Sequence, residues 1–379
     1  DARPGVSLAA VEKAIDQEVT LLVDRGPTRE ELDRARTTLR AEFLRSLEQV
    51  GGFHGVAGVL ASGEVYESDP GAYRQWLKNL EAATPASLRE AAQRDLGDGM
   101  LALEIHPFPE YANAATGADR SELPAIGEAA SPGFPALQRA TLKNGLRVIL
   151  AERNSLPLVE AELLVDAGYA SDAASDAKLG TSSYALAMMK EGTTDLDALE
   201  LSAEEAKLGA SIRTRSTLDT SSISLSALRE NLEPSLALFA AVVREPAFAD
   251  EEIERKRKRW LARILQEKSE PRDIALRTLP PLLYGENHAY GIPLTGSGTE
   301  ASIQSLTRQD LVDFHRLWIR PEAATLIVVG DVDMSTLLPL LQKYFGKWEL
   351  DGKRAGPKTL ASVPAPSQAR VYLIDKPGA

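Results

Sequence analysis

Few residues of this chain could bind a metal or transfer a proton. Its four histidines are His54, His106, His288 and His315, and cysteine is absent. A histidine-based metal site on a helix needs a second histidine or an acidic residue three or four positions away on the same face. None of the four histidines has such a neighbour on a predicted helix, so none is predicted to bind a metal.

Three other candidates for chemistry have simpler structural explanations. A nucleophilic role for Ser183 would need an adjacent base, and no histidine lies near it in the sequence. The segment "GSGT" (296–299) lacks the lysine of a phosphate-binding loop and is predicted to be a turn before a helix near residue 301. Asp250, Glu251 and Glu252 are predicted to open a helix, where the helix dipole favours negative charge.

Composition and charge narrow the classes of function. The chain has 379 residues, enough for two or three domains, and no apolar run is long enough to span a membrane. The formal net charge of −12 argues against nucleic acid as the main partner, because phosphate binding needs a basic surface. The one dense basic run, "ERKRKRWLAR" (254–263), lies in a helical pattern and is predicted to be a solvated helix face.

Residues 1–108 are predicted to form helices followed by one strand. Two helical patterns lie in residues 7–47, and the second begins at Thr28, which with Glu31 has the spacing of a capping box. Another helix is predicted to start at Thr84-Pro85, and residues 99–110 alternate as a strand does. A single strand predicts the back part of a larger α+β domain. Residues 109–138, rich in Ala, Gly, Pro and Ser, are predicted to be a linker.

Residues 139–352 are predicted to form one complete domain. Two strands follow a tight turn at Asn144-Gly145, and the predicted order continues to give β-β-α-α-β-β-α-α-α-β-α, with one helical region ending near Pro280 and Pro281. This order predicts a mainly antiparallel sheet covered by helices, which is the α+β class. Residues 353–379 are predicted to be a second linker and the first strand of another domain. Both chain ends are typical of cuts inside a longer protein.

Four segments in this order resemble the pitrilysin/insulinase family of zinc metallopeptidases. They are "LKNGLRVILAERNSLPLVEAELLVDAGYASD", "KLG…KEGT", "LYGENHAYGIPLTGSGTEASIQSLTRQDLVDFH" and "ATLIVVGDVD". The resemblance covers most of residues 139–350 and implies a clamshell of two homologous halves, each with two α+β domains. Residues 1–108 would then be the C-terminal part of the second domain, 139–352 the third domain, and 353–379 the start of a truncated fourth. His288, followed by Ala289 where the family has proline, is implied to shape a loop.

The resemblance also identifies a zinc motif that has lost its zinc chemistry. In active halves of the family, a helix carries His-x-x-Glu-His, in which the histidines bind zinc and the glutamate takes a proton from zinc-bound water. A glutamate on a later helix is the third ligand. When "GTSSYALAMMKEGT" (180–193) is aligned on its glycines, the matching positions are Ser183, Leu186, Ala187 and, for the third ligand, Arg263. No zinc, other cofactor or catalytic residue is therefore expected on this chain.

Two functions follow from the resemblance. The chain is predicted to be the non-catalytic portion of a zinc-dependent endopeptidase, with zinc held by a catalytic half that is missing from the chain. The alternative is a zinc-less structural or peptide-binding partner subunit. The implied partners are peptides or unfolded polypeptides and the catalytic half or subunit, with a second copy of the chain as a further candidate and no nucleic acid. A bacterial periplasmic or secreted location is inferred from the resemblance, and the absence of cysteine fits it.

Overall fold

A computed structural model describes residues 6–52, 55–96, 135–175 and 177–348, with short stretches at 360–363 and 370–375 and the single residues 352, 358 and 368. The predicted strand at 99–110, most of the predicted linker, and His54 and His106 lie outside these residues. The chain divides into two compact units, one of residues 1–36 and 71–135 and the other of residues 37–70 and 136–379. The domain boundaries given above stay predictions.

The described residues form helices and six strands. The helices are α1 (Leu8–Arg25), α2 (Arg29–Ser46), α3 (Val56–Ser62), α4 (Tyr73–Ala82), α5 (Pro85–Asp95), α6 (Ala170–Ala174), α7 (Thr181–Met188), α8 (Ala198–Leu208), α9 (Leu232–Arg244), α10 (Asp250–Glu267), α11 (Pro271–Tyr284), α12 (Glu300–Ser305), α13 (Arg308–Trp318) and α14 (Met334–Phe345). The strands are β1 (Leu137–Thr141), β2 (Arg147–Glu152), β3 (Leu158–Val165), β4 (Ser211–Ser216), β5 (Ser221–Leu228) and β6 (Ala324–Gly330). None of these helices is both long enough and apolar enough to cross a membrane.

Local sequence signals set the helix starts in both units. In the first unit, the backbone N–H of Thr28 donates to Glu31 Oε2 at 2.7 Å, and the hydroxyl oxygen of Thr28 accepts from the N–H of Glu31 at 3.2 Å. Thr84 caps α5, with Pro85 in its first turn. Each cap satisfies amide groups that lack partners inside the helix. Both predicted helix starts are confirmed.

The second unit is built on one six-stranded sheet in the order β1-β2-β6-β3-β5-β4. Every neighbouring pair is antiparallel except β2 and β6, which are parallel. A mixed sheet dominated by antiparallel pairs and covered by helices confirms the predicted α+β class.

Strand register explains where the core lies. Side chains alternate between the two faces of a sheet, and residues opposite one another on neighbouring strands share a face. Two rows of buried residues therefore cross the sheet on one face: Val148, Leu326, Leu163 and Ile223 in one row, and Leu150, Val328, Ala161 and Leu225 in the other. Helices α7, α9, α13 and α14 contribute to the same buried cluster. The second part of α2 makes a smaller cluster elsewhere in this unit, with Ala41 against Leu158 and Leu228.

Two details differ from the sequence-based expectation. Strand β1 precedes the two expected strands, so the Asn144-Gly145 turn joins β1 to β2 as a hairpin. Helix α11 does not end near Pro280 and Pro281 but continues to Tyr284. Proline has no N–H to donate to the carbonyl four residues earlier, which normally weakens a helix. Here the carbonyl of Leu276 accepts instead from the N–H of Leu294 at 2.9 Å, so the helix loses little at Pro280.

Candidate functional site

Helix α7 carries three of the four positions predicted to match the family's zinc motif, and the buried carboxylate of Asp172 binds the first amides of the helix. Asp172 accepts hydrogen bonds from the backbone N–H groups of Gly180 at 2.7 Å and Ser182 at 3.0 Å. Burial raises the pKa of Asp172 to about 7, although the amide hydrogen bonds oppose this shift. Gly180 has a φ of 92°, and an added Cβ would lie 2.9 Å from the Ile303 side chain. Glycine is therefore required where α7 begins.

The three motif positions on α7 face different surroundings. Leu186 is 1% exposed and belongs to the main hydrophobic core. Ser183 and Ala187 are half-buried. A Cβ added to Gly296 would lie 3.1 Å from the Ser183 hydroxyl oxygen, so the loop of residues 294–299 approaches this side of the helix closely. By the predicted alignment, the hydroxyl of Ser183 and the methyl of Ala187 stand in place of the two imidazoles, and the isobutyl group of Leu186 stands in place of the carboxylate.

Helix α10 carries the fourth position, Arg263. The Nε of Arg263 donates to Glu267 at 3.0 Å, and its guanidinium lies 5.5 Å from the centre of the Trp260 ring. The Trp260 ring meets Tyr184 of α7 edge-on, with ring centres 5.2 Å apart. The Tyr184 hydroxyl donates to the carbonyl of Ile253 at 2.6 Å. Aromatic packing and one buried hydrogen bond thus hold α7 against α10.

A buried ionic network lies one turn beyond Arg263. The carboxylate of Glu267 accepts from Arg277 at 2.8 Å and from the Ser297 hydroxyl at 2.6 Å. Arg277 also donates to the carbonyl of Gly298 at 2.8 Å. The side chains of Glu267 and Arg277 are only 5% and 10% exposed. This network fastens the loop of residues 294–299 beside α7.

The residues at the motif do not fit zinc. Zinc in proteins is bound by imidazole nitrogen, thiolate sulfur or carboxylate oxygen. Leu186 and Ala187 have no donor atom, and the guanidinium of Arg263 repels a cation. Across the described parts of the chain, no group of three or more His, Asp or Glu side chains could hold a metal ion. Leu186 also cannot act as a base, so these four residues supply no hydrolytic chemistry.

The two histidines within the described residues make structural hydrogen bonds. His315 is buried, and its Nε2 donates to the carbonyl of Val243 at 2.8 Å, while burial lowers its pKa. The Nδ1 of His288 accepts from the N–H of Tyr290 at 3.0 Å, so its Nε2 donates to the carbonyl of Ala361 at 3.0 Å.

Sequence reasoning missed the polar residues that support this region. Asp172, Glu267, Arg277 and Ser297 lie on four separate segments, and only folding brings the last three together. The spacing of Arg263 and Glu267, four residues apart on α10, was the one available signal, since such pairs meet on a helix surface. The acidic first turn of α10 and the turn that leads into α12 are as predicted.

Comparison with known proteins identifies the family to which this chain belongs. A model of the family described as "Insulinase (Peptidase family M16)" matches residues 147–296, and one described as "Peptidase M16 inactive domain" matches residues 305–379. Together they cover more than half of the chain. The chain belongs to peptidase family M16, the pitrilysin/insulinase family, and the second match supports a non-catalytic half of that family.

Curated relatives include zinc proteases and a subunit of a mitochondrial complex. Subunit 1 of the mitochondrial cytochrome b-c1 complex of Bos taurus is 26% identical over 213 residues, which are 56% of this chain and 43% of that protein. The zinc protease PqqE of Helicobacter pylori is 24% identical over 252 residues, which are 65% of this chain and 54% of that protein. The chain thus spans about half the length of the curated relatives that it matches.

Solved structures share the fold. The crystal structure of a peptidase M16 inactive domain from Pseudomonas fluorescens has a TM-score of 0.55 and 25% identity, and the match covers 60% of this chain and 54% of that one. The periplasmic protease PqqL of Escherichia coli has a TM-score of 0.52 and 20% identity, and the match covers 62% of this chain and 26% of that one.

Proposed function

We propose that this chain is the non-catalytic portion of a zinc-dependent endopeptidase that degrades peptides in a chamber between two halves. One observation supports the proposal: helices α7 and α10 are packed together, and the residues aligned with the family's zinc ligands and base are Ser183, Leu186, Ala187 and Arg263, which carry no zinc-binding group and no base. The zinc proteases among the relatives support a metal-dependent parent activity.

In this proposal, zinc and the proton-transferring glutamate belong to another half of the parent protein. Residues 139–352 form the inactive third domain, which walls the chamber. Residues 1–108 complete the second domain, 109–138 link the halves, and 353–379 lead into the fourth domain. The substrates are peptides or unfolded polypeptides, because an enclosed chamber excludes folded proteins of ordinary size.

A second candidate is a zinc-less structural or peptide-binding partner subunit. The similarity to a subunit of the mitochondrial cytochrome b-c1 complex favours it, because that relative is named as part of an assembly rather than as a protease. Both candidates give this chain the same non-catalytic role. They differ in whether a zinc-bearing half exists in the same protein.

We propose that the parent protein is exported to the bacterial periplasm or secreted. The absence of cysteine is compatible with export, and the E. coli neighbour is titled a periplasmic protease. Fractionation of the native cells, followed by detection of the protein with an antibody, tests this location. Recovery with the cytoplasmic marker would contradict it.

Zinc content and peptide cleavage separate the two functions. We expect the 379-residue chain to contain no stoichiometric zinc and to leave an unfolded fluorogenic peptide intact. The complete gene product should contain zinc and cleave the peptide until a chelator is added. A complete product without zinc and without cleavage supports the partner-subunit candidate. Stoichiometric zinc and cleavage in the 379-residue chain alone would overturn both.

A further inference from the structure

The sequence predicts that the basic run in α10 is a solvated helix face, but several of its residues line a surface cavity. Arg255, Lys256, Arg259, Trp260 and Arg263 are spaced so that they share one side of the helix. With Glu191, they line a surface cavity of about 180 Å³. The remaining basic residues of the run are not part of this lining. We call this surface the α10 cavity.

The α10 cavity has an excess of positive charge in an otherwise acidic protein. Its lining contains four cationic side chains and one carboxylate, whereas the whole chain has a net charge of −12. Glu191 is already paired with Arg255 and with Lys256. Arg259 is exposed and, among the described residues, forms no ion pair or hydrogen bond. Charge on the cavity wall is therefore available to an anion.

Two further side chains shape what the cavity can hold. Trp260 uses its indole N–H to donate to the carbonyl of Ser297 at 2.9 Å, so the ring itself supplies an apolar surface. Arg263 bonds Glu267 through Nε, which leaves the outer nitrogens of its guanidinium for a second acceptor. Planar guanidinium groups bind carboxylates with two parallel hydrogen bonds. The cavity thus combines hydrogen-bond donors for a carboxylate with an apolar wall that can pack against the methylene groups of an acidic side chain.

We propose that the α10 cavity binds the glutamate or aspartate side chains of an acidic peptide segment, and that Arg259 and Arg263 donate hydrogen bonds to the carboxylates. A nucleic-acid strand fits less well. Asp250, Glu251 and Glu252 form the first turn of the same helix and would repel any long polyanion that extends past the cavity, which favours a short acidic segment over a continuous phosphate backbone. This binding does not depend on zinc or on catalysis, so it can fail or succeed independently of the proposed function.

The test measures binding by the full 379-residue chain. The probe is a short fluorescein-labelled peptide of glutamate residues, and binding is followed by fluorescence anisotropy. Its matched control is the glutamine peptide of equal length. We expect the glutamate peptide to bind, the glutamine peptide to bind at least about tenfold more weakly, and added salt to weaken the glutamate complex.

Paired charge reversals on one helix locate the site. Arg259→Glu should weaken binding of the glutamate peptide by about tenfold or more. Lys258→Glu makes the same change of charge at an exposed neighbouring position outside the cavity and should change the affinity by less than about twofold. Circular dichroism spectra of both variants should match that of the unchanged chain, because neither residue is buried.

Three results would overturn the proposal. The first is no binding of the glutamate peptide at low salt. The second is equal weakening by the two charge reversals, which would indicate unspecific attraction to the helix. The third is tighter binding of a labelled oligonucleotide of the same charge, which would assign the cavity to phosphates.

Discussion

The guanidinium of Arg277 and the carboxylate of Glu267 form an ion pair of 2.8 Å, and each side chain is at least nine-tenths buried. Glu267 lies one helical turn after Arg263, the residue predicted to align with the family's third zinc ligand. The pair joins α10 to α11, and the Ser297 hydroxyl and the Gly298 carbonyl join the loop of residues 294–299 to it. A buried ion pair therefore holds α10, α11 and this loop together beside Arg263.

Breaking this buried pair should cost far more than breaking its exposed neighbour. Arg277→Met leaves Glu267 buried without its main partner, so we expect the free energy of unfolding to fall by about 3 kcal/mol. Arg263→Met removes an ion pair whose arginine side chain is 55% exposed, and the loss should be about 1 kcal/mol or less. Urea denaturation of both variants measures the difference. Equal losses would mean that Arg277 is not the main partner of Glu267.

A double variant tests the coupling directly. Arg277→Met combined with Glu267→Met replaces both charges with apolar groups of similar length. It should be destabilised by less than the sum of the two single changes, because no uncompensated charge stays buried. Simple additivity would show that the two residues act separately.

Substitutions of Leu186 should reduce stability, because this residue packs in the hydrophobic core. Leu186→Ala should lower the free energy of unfolding by about 2–5 kcal/mol, because it leaves a cavity in a well-packed core. Leu186→Glu should be at least as harmful, since it buries a carboxylate. Leu199→Ala is the control: Leu199 of α8 is 81% exposed, so its replacement should change the free energy of unfolding by less than about 0.5 kcal/mol. Thermal and urea unfolding measure all three variants, and a neutral Leu186→Ala would contradict the packing described.

Asp172 should give stability a pH dependence of known sign. Its pKa rises from 3.8 to about 7 on folding, so between these values the folded state binds more protons than the unfolded state. The contribution of Asp172 is therefore fully present below about pH 4 and is lost as the pH rises to about 7, by at most about 1.4 kcal/mol per pH unit.

Comparison with Asp172→Asn isolates this contribution. His315 acts in the opposite direction: its lowered pKa gives stability that is present above pH 6.5 and is lost as the pH falls. Because His315 is unchanged in the variant, its effect cancels in the difference. The stability of the unchanged chain minus that of Asp172→Asn should decrease from about pH 4 to about pH 7. A difference that increases with pH would show that Asp172 is ionised and stabilised by the amides.

Lys358 should restrain the segment of residues 360–363. Its side chain is 5% exposed, and its ammonium lies 2.6 Å from Asp166. His288 donates to the carbonyl of Ala361 in the same segment. Lys358→Met should speed amide hydrogen exchange at residues 360–363 by up to about fivefold, since the lost ion pair joins a buried ammonium to a carboxylate that is 63% exposed and is worth about 1 kcal/mol or less. Exchange detected by mass spectrometry measures this, with Lys347→Met at an exposed position as the control. Unchanged exchange would mean that Lys358 does not secure the segment.

Local patterns in the sequence were sufficient for much of the fold. The capping residues Thr28 and Thr84 mark helix starts because their side chains bond amides only three residues away. Alternation in β3 and β5 identifies strands because one face of the sheet is buried. The edge strand β1 escaped detection because its exposed side chains carry little of this alternation.

The sequence by itself indicated peptidase family M16, and it predicts that no zinc-ligand set is present at the positions aligned with the family's zinc motif. The identities of Ser183, Leu186, Ala187 and Arg263 decide that point, because donor atoms are a property of residue type. Only the tertiary structure shows which groups surround these positions and that part of the basic run lines a surface cavity. Arg277 and Ser297 reach Glu267 from outside α10, and Glu191 joins the cavity lining from a segment more than sixty residues earlier in the chain. Burial and charge pairing depend on such distances, which no local pattern contains.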